Sequence, residues 1–284
     1  MTACARVRRR EPGFPPLLAA IHDPPPLLYL RGGGDVALLA APAVAVVGAR
    51  ACSSYGRSVA RSLARDLAAA GLVVVSGMAR GIDGEAHRGA LEAGGSTVAV
   101  LGCGIDRDYP AAHAELARRI GERGFVVSEY EAGVEPAPWR FPARNRIIAG
   151  LCRATVVVEA RERSGALITA DFALEEGRDV LAVPGEITSG LSVGTNALLK
   201  LGATPVTAAS DVLESYGVEI RPRPAPSLGP DADALLAQLR DAAQTADELL
   251  RAACIDPGAG AVALTALELA GRVTVEDGVY RAAI

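Results

Sequence analysis

Lysine is almost absent from this sequence, and its absence excludes several kinds of site. Of the 29 basic residues, all except Lys200 are arginine. No Gly-Lys-Ser or Gly-Lys-Thr triplet occurs, which excludes a Walker A phosphate loop. A Schiff-base enzyme would depend on Lys200 alone. The sequence therefore favours guanidinium groups, whose fork shape suits phosphate oxygens.

Metal-binding, disulfide and membrane patterns are missing as well. The five cysteines lack a Cys-x-x-Cys pair, and the three histidines are isolated, so we expect no disulfide framework, metal site or cofactor. No apolar run reaches the ~18 residues that a membrane span needs. The four arginines among residues 1–10 are not followed by the apolar segment of a signal peptide. We therefore expect a cytoplasmic protein without a membrane partner.

The net charge of −4 is distributed unevenly along the chain. Segments 43–65 and 136–158 each contain four arginines and no acidic residue, whereas nine acids face four arginines from residue 225 onward. The middle of the chain is therefore expected to carry a positive surface suited to nucleic acid. We expect the acidic tail to bind a protein or to pack on its neighbour rather than to bind duplex DNA, because phosphate contacts supply most non-specific affinity.

Short valine-rich runs alternate with amphipathic segments through the middle of the chain. The predicted strands are 44–47, 73–75, 97–101, 125–127, 155–158 and 180–183. Continuous apolar runs of this kind are typical of strands that are covered on both faces. The predicted helices are 57–70, 84–93, 111–122, 145–151, 166–176 and 195–201. The alternation predicts an α/β fold with an extended Rossmann-like, doubly wound, mostly parallel sheet.

A proline-rich segment separates this region from the tail. Four prolines within 221–230 predict an extended linker. Beyond it, three helices (232–239, 245–253 and 259–270) and a hairpin with an Asp277–Gly278 turn indicate a small winged-helix-like domain. The expected organisation is a lead-in over 1–42, a Rossmann-like domain over 43–220, the linker, and the winged-helix-like domain over 231–284.

Small residues follow every predicted strand. Gly48, Ala49 and Arg50 follow the first strand, and Ser76 and Gly77 follow the second. Ligands of an open parallel sheet bind at the carboxyl ends of its strands, and helix N-termini there favour anions. The sequence therefore predicts a phosphate-bearing ligand near Arg50. NAD is disfavoured, because Arg50 replaces the second glycine of the dinucleotide fingerprint.

The segment 139–150 combines basic and aromatic side chains. Its members are Trp139, Arg140, Phe141, Arg144, Asn145 and Arg146. Arginine for phosphate and an aromatic face for a base are what single-stranded nucleic acid needs. The alternative is that the aromatic residues anchor the loop to the core and the arginines pair with nearby glutamates. We interpret Phe141 as a base-stacking residue and Trp139 as a core anchor; His87 and Cys52 are interpreted as packing residues.

Six segments carry a specific resemblance to a known family. They are VAVVGARACSSYGRSVA, VVVSGMARGIDGEAHRGALEAGGSTVAVLGCGIDRDYP, SEY, FPARNRIIAGL, TVVVEARERSGALITADFALEEGRDVLAVPG and GTNALLKLGA. Their order and spacing resemble the DNA-processing protein A family (DprA, also called Smf) over about residues 43–206. The tail resembles the winged-helix module of that family, and residues 14–32 resemble the end of a helical domain that precedes the sheet.

The resemblance implies a non-enzymatic homodimer that binds single-stranded DNA and loads a RecA-type recombinase during DNA uptake, as in natural transformation, or during recombination. It implies that Arg50 contacts phosphate and Phe141 stacks on a base. The other implied DNA-binding residues are Ser76, Gly77, Arg140, Arg144, Asn145, Arg146, Ser164 and Thr169. The implied dimer face includes Asn196, Leu198, Leu199 and Val206.

Two other functions stay open at this point. A nucleotide phosphoribohydrolase shares the architecture, although its PGGxGTxxE loop needs a glutamate at an offset that Glu176 does not occupy. A nucleotide-sensing domain would prefer a mononucleotide and would be indifferent to the length of a strand.

Overall fold

A nine-stranded sheet organises the first of the two units, Met1–Ile220 and Arg221–Ile284, into which the chain divides. The computed structural model describes residues 4–217, 227–239, 242–276 and 278–282. Residues 221–226 of the expected linker and Asp277 of the expected turn lie outside the described residues. The strands of the sheet are β1 (Cys4–Arg8), β2 (Leu27–Arg31), β3 (Ala43–Val47), β4 (Val73–Ser76), β5 (Thr97–Val100), β6 (Phe125–Ser128), β7 (Ala154–Val157), β8 (Asp179–Ala182) and β9 (Thr204–Pro205).

Eight α-helices accompany these strands in the described part of the first unit. They are α1 (Pro16–Ala19), α2 (Ser54–Ala69), α3 (Ile82–Glu92), α4 (Ala114–Arg123), α5 (Arg140–Leu151), α6 (Gly165–Glu175), α7 (Val193–Lys200) and α8 (Ala209–Glu214); short 3₁₀ helices span Val36–Ala40 and Ala111–His113. The six predicted strands and six predicted helices are confirmed. The largest difference is in α5, which begins five residues before its predicted start. Pro142 fits there because a backbone N–H in the first turn of a helix has no intrahelical acceptor, so proline removes no hydrogen bond.

The strand order is β1-β2-β6-β5-β4-β3-β7-β8-β9. Strands β3 to β9 pair in parallel, and β2 pairs antiparallel with β6. The chain runs outward from β3 to β6 and then returns to place β7 on the other side of β3. The expected doubly wound, mostly parallel sheet is confirmed, and its order reverses between β3 and β7. Such a reversal creates a crevice at the carboxyl ends of the two strands.

Strand β3 is buried on both faces. Val44 and Val46 belong to one apolar cluster with α2 and α3, whereas Ala45 and Val47 belong to another with α5 and α6. A strand covered by helices on both sides has no polar face. This double burial explains why its sequence is a continuous apolar run.

Residues 4–31 differ from the expected remnant of a helical domain. Strand β1 pairs antiparallel with β2, and β2 extends the sheet beyond β6. Along β2 only Leu28 and Leu30 are buried, although Leu27 and Tyr29 are apolar as well. Because the buried and the partly exposed positions of β2 both carry apolar side chains, the sequence lacks the polar–apolar alternation of a half-buried strand. Only the four-residue α1 is helical among residues 4–31.

The second unit has the expected winged-helix architecture. Its elements are α9 (Pro230–Leu239), α10 (Ala246–Ala253), α11 (Pro257–Leu269), β10 (Gln244–Thr245), β11 (Val273–Glu276) and β12 (Val279–Ala282). The three strands form a small sheet in the order β10-β12-β11. Thr245 and Glu248 cap α10 reciprocally, and Leu235, Leu249 and Leu267 lie in the core.

No single described helix is both long and apolar enough to cross a membrane. Helices α10 and α11 satisfy those criteria only when they are joined, and they are bent by 114° at the break between them.

Candidate nucleic-acid interface

A cavity of about 300 Å³, called cavity 1 here, opens at the carboxyl ends of β3 and β7. The loop after β3 forms one wall, and α5 and the start of α6 form the others. A Cβ at Gly48 would lie 2.6 Å from Ile82 Cγ1 and 3.0 Å from the Glu159 carbonyl oxygen. Glycine therefore lets the loop pass between α3 and the end of β7, which brings Arg50 to the rim of the cavity.

Glu159 holds the loop that follows Arg50. Its buried carboxylate accepts hydrogen bonds from the Ser53 backbone N–H, at 2.9 Å, and from the Ser53 hydroxyl. The same hydroxyl accepts from the Gly56 N–H and caps α2. Glu159 thus has a structural role at the start of α2, where its carboxylate accepts these hydrogen bonds.

Arg50 and Phe141, at the rim of cavity 1, form a ridge together with the neighbouring Tyr109. The Arg50 guanidinium carbon lies 5.5 Å from the Phe141 ring centroid, within the range of a cation–π contact. The Tyr109 and Phe141 ring centroids are 5.1 Å apart, and the ring planes differ by 27°. The structure therefore brings the two principal predicted site residues together and adds Tyr109, which sequence reasoning missed.

Arg144 and Asp83 lie beneath this ridge. Arg144 is only 4% exposed, and it donates to the Gly77 carbonyl oxygen at 2.7 Å and to the Val100 carbonyl oxygen. Asp83 accepts from the backbone N–H groups of Gly77 and Ala79 at 3.2 and 3.3 Å. A Cβ at Gly77 would lie 2.6 Å from Arg144 Nη2, so this position has room only for glycine.

Burial sets the protonation of this pair. Desolvation lowers the pKa of Arg144 to about 10, although the Asp83 carboxylate opposes that shift. Desolvation also raises the pKa of Asp83, and the Arg144 guanidinium opposes that shift in turn. Arg144 therefore stays protonated at neutral pH, and Asp83 compensates its charge at the floor of cavity 1.

The start of α6 completes cavity 1. Ser164 caps the helix by accepting the Ala166 N–H at 3.3 Å, and Asn145 Nδ2 donates to the Gly165 carbonyl oxygen at 3.1 Å. Thr169 lines the cavity one turn further along. A Cβ at Gly165 would meet no atom within 4 Å, so the backbone there is open. Exposed N–H groups at a helix start favour an anion.

Four predicted DNA-binding residues do not border cavity 1; they are Ser76, Gly77, Arg140 and Arg146. Buried Ser76 donates its hydroxyl to the Val46 carbonyl oxygen at 2.7 Å and ties β4 to β3. The Arg140 guanidinium carbon lies 5.0 Å from the Tyr130 ring centroid. Arg146 donates to Glu129 and Asp23, because a two-residue step along α5 turns it away from the face of Arg144.

Trp139 contradicts its predicted role as a core anchor. It is 62% exposed, and the Arg140 guanidinium carbon lies 4.8 Å from its ring centroid. The residue directly precedes α5, and its ring lies outside the three apolar clusters that the described residues of the first unit form.

Four exposed arginines in and around the ridge have no ion-pair partner in the described part of the chain; they are Arg50, Arg80, Arg161 and Arg163. We call them the rim arginines. Arg50, Arg161 and Arg163 line cavity 1. The last two were missed because Glu159 and Glu162 make their segment look neutral in sequence. Arg161 and Arg163 follow a strand and directly precede the small residues that start α6, and this position could have identified them as site residues.

The predicted dimer residues have different environments. Leu198 and Val206 pack inside the core of their own chain, so these two side chains are not exposed to a partner. Asn196 exchanges hydrogen bonds with the Gly185 backbone at 3.0 and 3.2 Å, and Leu199 packs partly against the core. Leu201, in the same segment, is 84% exposed.

The predicted packing roles of His87 and Cys52 are confirmed. His87 is fully buried, and its Nδ1 lies 2.7 Å from Thr97 Oγ1. The Thr97 hydroxyl donates to the Val74 carbonyl oxygen at 2.6 Å, so His87 Nδ1 is the donor and Nε2 is unprotonated. Cys52 packs against an apolar cluster, and burial raises the pKa of its thiol.

Comparison with known proteins gives consistent matches to both units. A model of the DNA recombination-mediator protein A family matches residues 6–217, and a model of the DprA winged helix domain matches residues 219–278. The chain is 50% identical to the DNA processing protein DprA of Streptococcus pneumoniae over 203 residues, which cover 72% of this chain and 71% of that protein.

Two solved structures share this fold. The X-ray structure of DprA from S. pneumoniae superposes with a TM-score of 0.71 at 47% identity and covers 74% of each chain. DNA processing protein A from Helicobacter pylori superposes with a TM-score of 0.68 at 30% identity, over 76% of this chain and 98% of that one. The H. pylori structure describes a single-stranded DNA binding mode of that protein.

Proposed function

Because this chain belongs to the DNA recombination-mediator protein A family, we propose that it binds single-stranded DNA at cavity 1 and the ridge above it. Arg50 contacts a phosphate, Phe141 stacks on a base, and that base enters cavity 1. The described binding of single-stranded DNA by the H. pylori relative supports this proposal.

One observation carries the proposal: the rim arginines, which form no ion pair with another described residue, lie beside an aromatic ridge and an open helix start. Arg50, Arg161 and Arg163 border the same cavity as Phe141 and the backbone of Gly165. Unneutralised cations supply phosphate affinity, and an aromatic ring accepts any base. Exposed bases reach such a ring only in a single strand, since duplex bases are already stacked and paired.

Equilibrium titrations of labelled single-stranded and duplex oligonucleotides across a salt series test this proposal. We expect tighter binding of the single strand, and a slope of log affinity against log salt of roughly −0.7 for each phosphate held. Arg50→Ala should flatten that slope by about 0.7. Phe141→Ala should cost about 1–3 kcal/mol of binding free energy with little change in slope, as lost stacking would.

Tyr55→Ala is the matched control for Phe141→Ala. Tyr55 is exposed on α2 but does not border cavity 1, so its loss should leave affinity unchanged. The proposal fails if duplex binds as well as the single strand, or if Phe141→Ala and Tyr55→Ala have the same effect.

We assign cavity 1 a binding role and no catalytic one. Two contacts support this view: Asp83, the carboxylate that lines the cavity, holds two backbone N–H groups, and Glu176 follows the opposite end of α6, where it accepts the His22 N–H at 2.8 Å. Release of ribose phosphate from nucleoside monophosphates would contradict the assignment. Mononucleotide binding that is no weaker than strand binding would instead favour a nucleotide sensor.

Recombinase loading is the next step of the same proposal. The name of the family, a recombination mediator, supports a RecA-type recombinase as the partner, acting in the cytoplasm during DNA uptake or recombination. The protein should shorten the lag before the recombinase hydrolyses ATP on single strands coated with single-strand-binding protein, and Phe141→Ala should restore that lag. An unchanged lag with the wild-type protein would contradict the loading role.

Homodimerisation near α7 is a further part of the proposal. The exposed Leu201 in the predicted dimer segment supports it, with Asn196 and Leu199 beside it rather than the buried Leu198 and Val206. Sedimentation equilibrium should give a dimer for the wild type and a monomer for Leu201→Glu. A wild-type monomer at micromolar concentration would contradict this part.

A further inference from the structure

A second cavity of about 390 Å³, called cavity 2 here, adjoins the ridge. Cavities 1 and 2 share Arg50, Ala79, Phe141 and Arg144, so these residues stand between them. Cavity 2 lies over the carboxyl ends of β4 and β5, where Gly77 and Gly102 border it. Two separate spaces therefore meet at Arg50 and Phe141.

Tyr109 and Arg80 border cavity 2 but not cavity 1. Tyr109 is 41% exposed, and its stacking on Phe141 uses only one face of its ring. Arg80 is one of the unpaired rim arginines. Asp108 also borders cavity 2, but Arg31 binds its carboxylate at 2.7 Å and balances its charge. The walls of cavity 2 thus offer an aromatic face and a cation that forms no ion pair among the described residues.

We propose that cavity 2 is a second nucleotide subsite, which takes the base adjacent to the one held in cavity 1. Consecutive nucleotides share one phosphate, and Arg50 borders both cavities, where that shared phosphate would lie. Tyr109 provides the stacking surface for the second base, and Arg80 contacts its outer phosphate.

The size of the two cavities supports one nucleotide in each. Cavities of 300 and 390 Å³ lie at the small end of the range for ligand sites, about 300–1,000 Å³. Phe141 and Arg50 separate them, so a strand that fills both must place successive bases on opposite sides of this pair. The unit that this surface recognises is then a dinucleotide step of single-stranded DNA.

This inference rests on the proposed function. A double-mutant cycle tests it, in which protein variants are combined with DNA ligands that lack one base. A DNA dinucleotide and its two single-abasic forms compete with a longer labelled strand for the wild-type protein, Tyr109→Ala and Phe141→Ala. We expect Tyr109→Ala to weaken dinucleotide binding roughly 5- to 150-fold, the range for one lost base stack. For one of the two abasic forms, the one that lacks the base contacting Tyr109, Tyr109→Ala should cause no further loss of affinity. That contact is already missing from the complex with the wild-type protein.

The number of bases to which Tyr109→Ala couples distinguishes a direct contact of Tyr109 with a base from an indirect effect of Tyr109 through Phe141. Phe141 borders both cavities, so Phe141→Ala should couple to both bases, whereas Tyr109→Ala should couple to only one. Tyr109→Phe should bind like the wild type because it keeps the ring. Tyr55→Ala, which changes an equally exposed tyrosine outside both cavities, should show no coupling.

Three outcomes overturn the inference. If Tyr109→Ala has no effect, or couples to neither base, cavity 2 holds no base. If it couples to both bases as Phe141→Ala does, Tyr109 only positions Phe141. In both cases Phe141→Ala still weakens single-strand binding, so the proposed function stands. If the wild-type protein does not bind single strands at all, the proposed function and this inference fail together.

Discussion

The four rim arginines and three arginines on the flanking helices of the same unit differ in their partners. On the flank, Arg61 contacts Glu92, Arg88 contacts Glu85 at 2.8 Å and Arg118 contacts Glu115 at 2.6 Å. None of the rim arginines has such a partner in the described residues. The same side chain is therefore neutralised at these three flank positions and left available for an anion at the rim.

This difference shows why charge counted along the sequence is an incomplete guide to surface charge. Segment 43–65 contains no acidic residue, yet its Arg61 reaches Glu92 on α3, and its Arg65 lies 2.9 Å from Asp66 just beyond the segment. Arg161 and Arg163 are adjacent to Glu162 in sequence but form no ion pair within the part of the chain that the structure describes. The folded arrangement, rather than the local sequence, determines which cations can bind phosphate.

Replacement of Arg144 should have the largest effect on stability. Arg144→Met removes a buried cation and leaves Asp83 without its compensating charge, which typically costs about 3–5 kcal/mol. Arg161→Gln at the rim should change the free energy of unfolding by no more than about 0.5 kcal/mol. Urea denaturation measures both variants. Similar stabilities for the two would contradict the distinction between the buried arginine and the rim.

Acidification should destabilise the protein through His87. Burial lowers the pKa of His87 to about 3 in the folded state, against 6.5 for an ordinary histidine, so only the unfolded chain gains this proton between those values. The His87 contribution to stability is therefore complete above pH 6.5 and declines as pH falls toward 3. At pH 5 the loss is about 2 kcal/mol.

Urea denaturation of wild type and His87→Gln at neutral pH and near pH 5 isolates this contribution. Glutamine is neutral at both pH values and can still donate to Thr97, so the variant should lose less stability on acidification than the wild type. Parallel losses in the two proteins would show that His87 is not the group responsible.

Arg146 provides a smaller test, which distinguishes it from the rim arginines. Arg146→Ala removes partly buried ion pairs with Glu129 and Asp23, so we expect a loss of about 1 kcal/mol in stability. Its affinity for single-stranded DNA should match that of the wild type because Arg146 does not border cavity 1. A flatter salt dependence of binding in Arg146→Ala would show that Arg146 contacts DNA after all.

The sheet was predictable from the sequence because its central strands are buried on both faces. Runs such as 44–47 have no polar alternation, and few other environments produce that pattern. Strands β1 and β2 were not found, since Leu27 and Tyr29 hide the alternation of β2. A two-residue strand such as β10 carries too little pattern to detect.

The candidate site was predictable where residue type restricts the environment. Arg50 follows a strand at the point where the strand order reverses, and Phe141 lies among arginines, so both were identified. Arg140, Arg144 and Arg146 looked equivalent in sequence, but their rotation about α5 gives them a ring contact, a buried position and an ion pair. Tyr109 was missed because only the fold brings the loop after β5 against α5.

The salt dependence of single-strand binding in two matched triple variants tests the central claim most directly. One variant replaces Arg50, Arg161 and Arg163 at the rim with glutamine, and the other replaces Arg61, Arg88 and Arg118 on the flank. Both remove three positive charges. We predict that the rim variant flattens the slope of log affinity against log salt by about 2, at roughly 0.7 per phosphate contact, while the flank variant leaves it unchanged. Equal flattening in both variants would contradict the claim, because affinity would then follow total charge rather than the unpaired rim arginines.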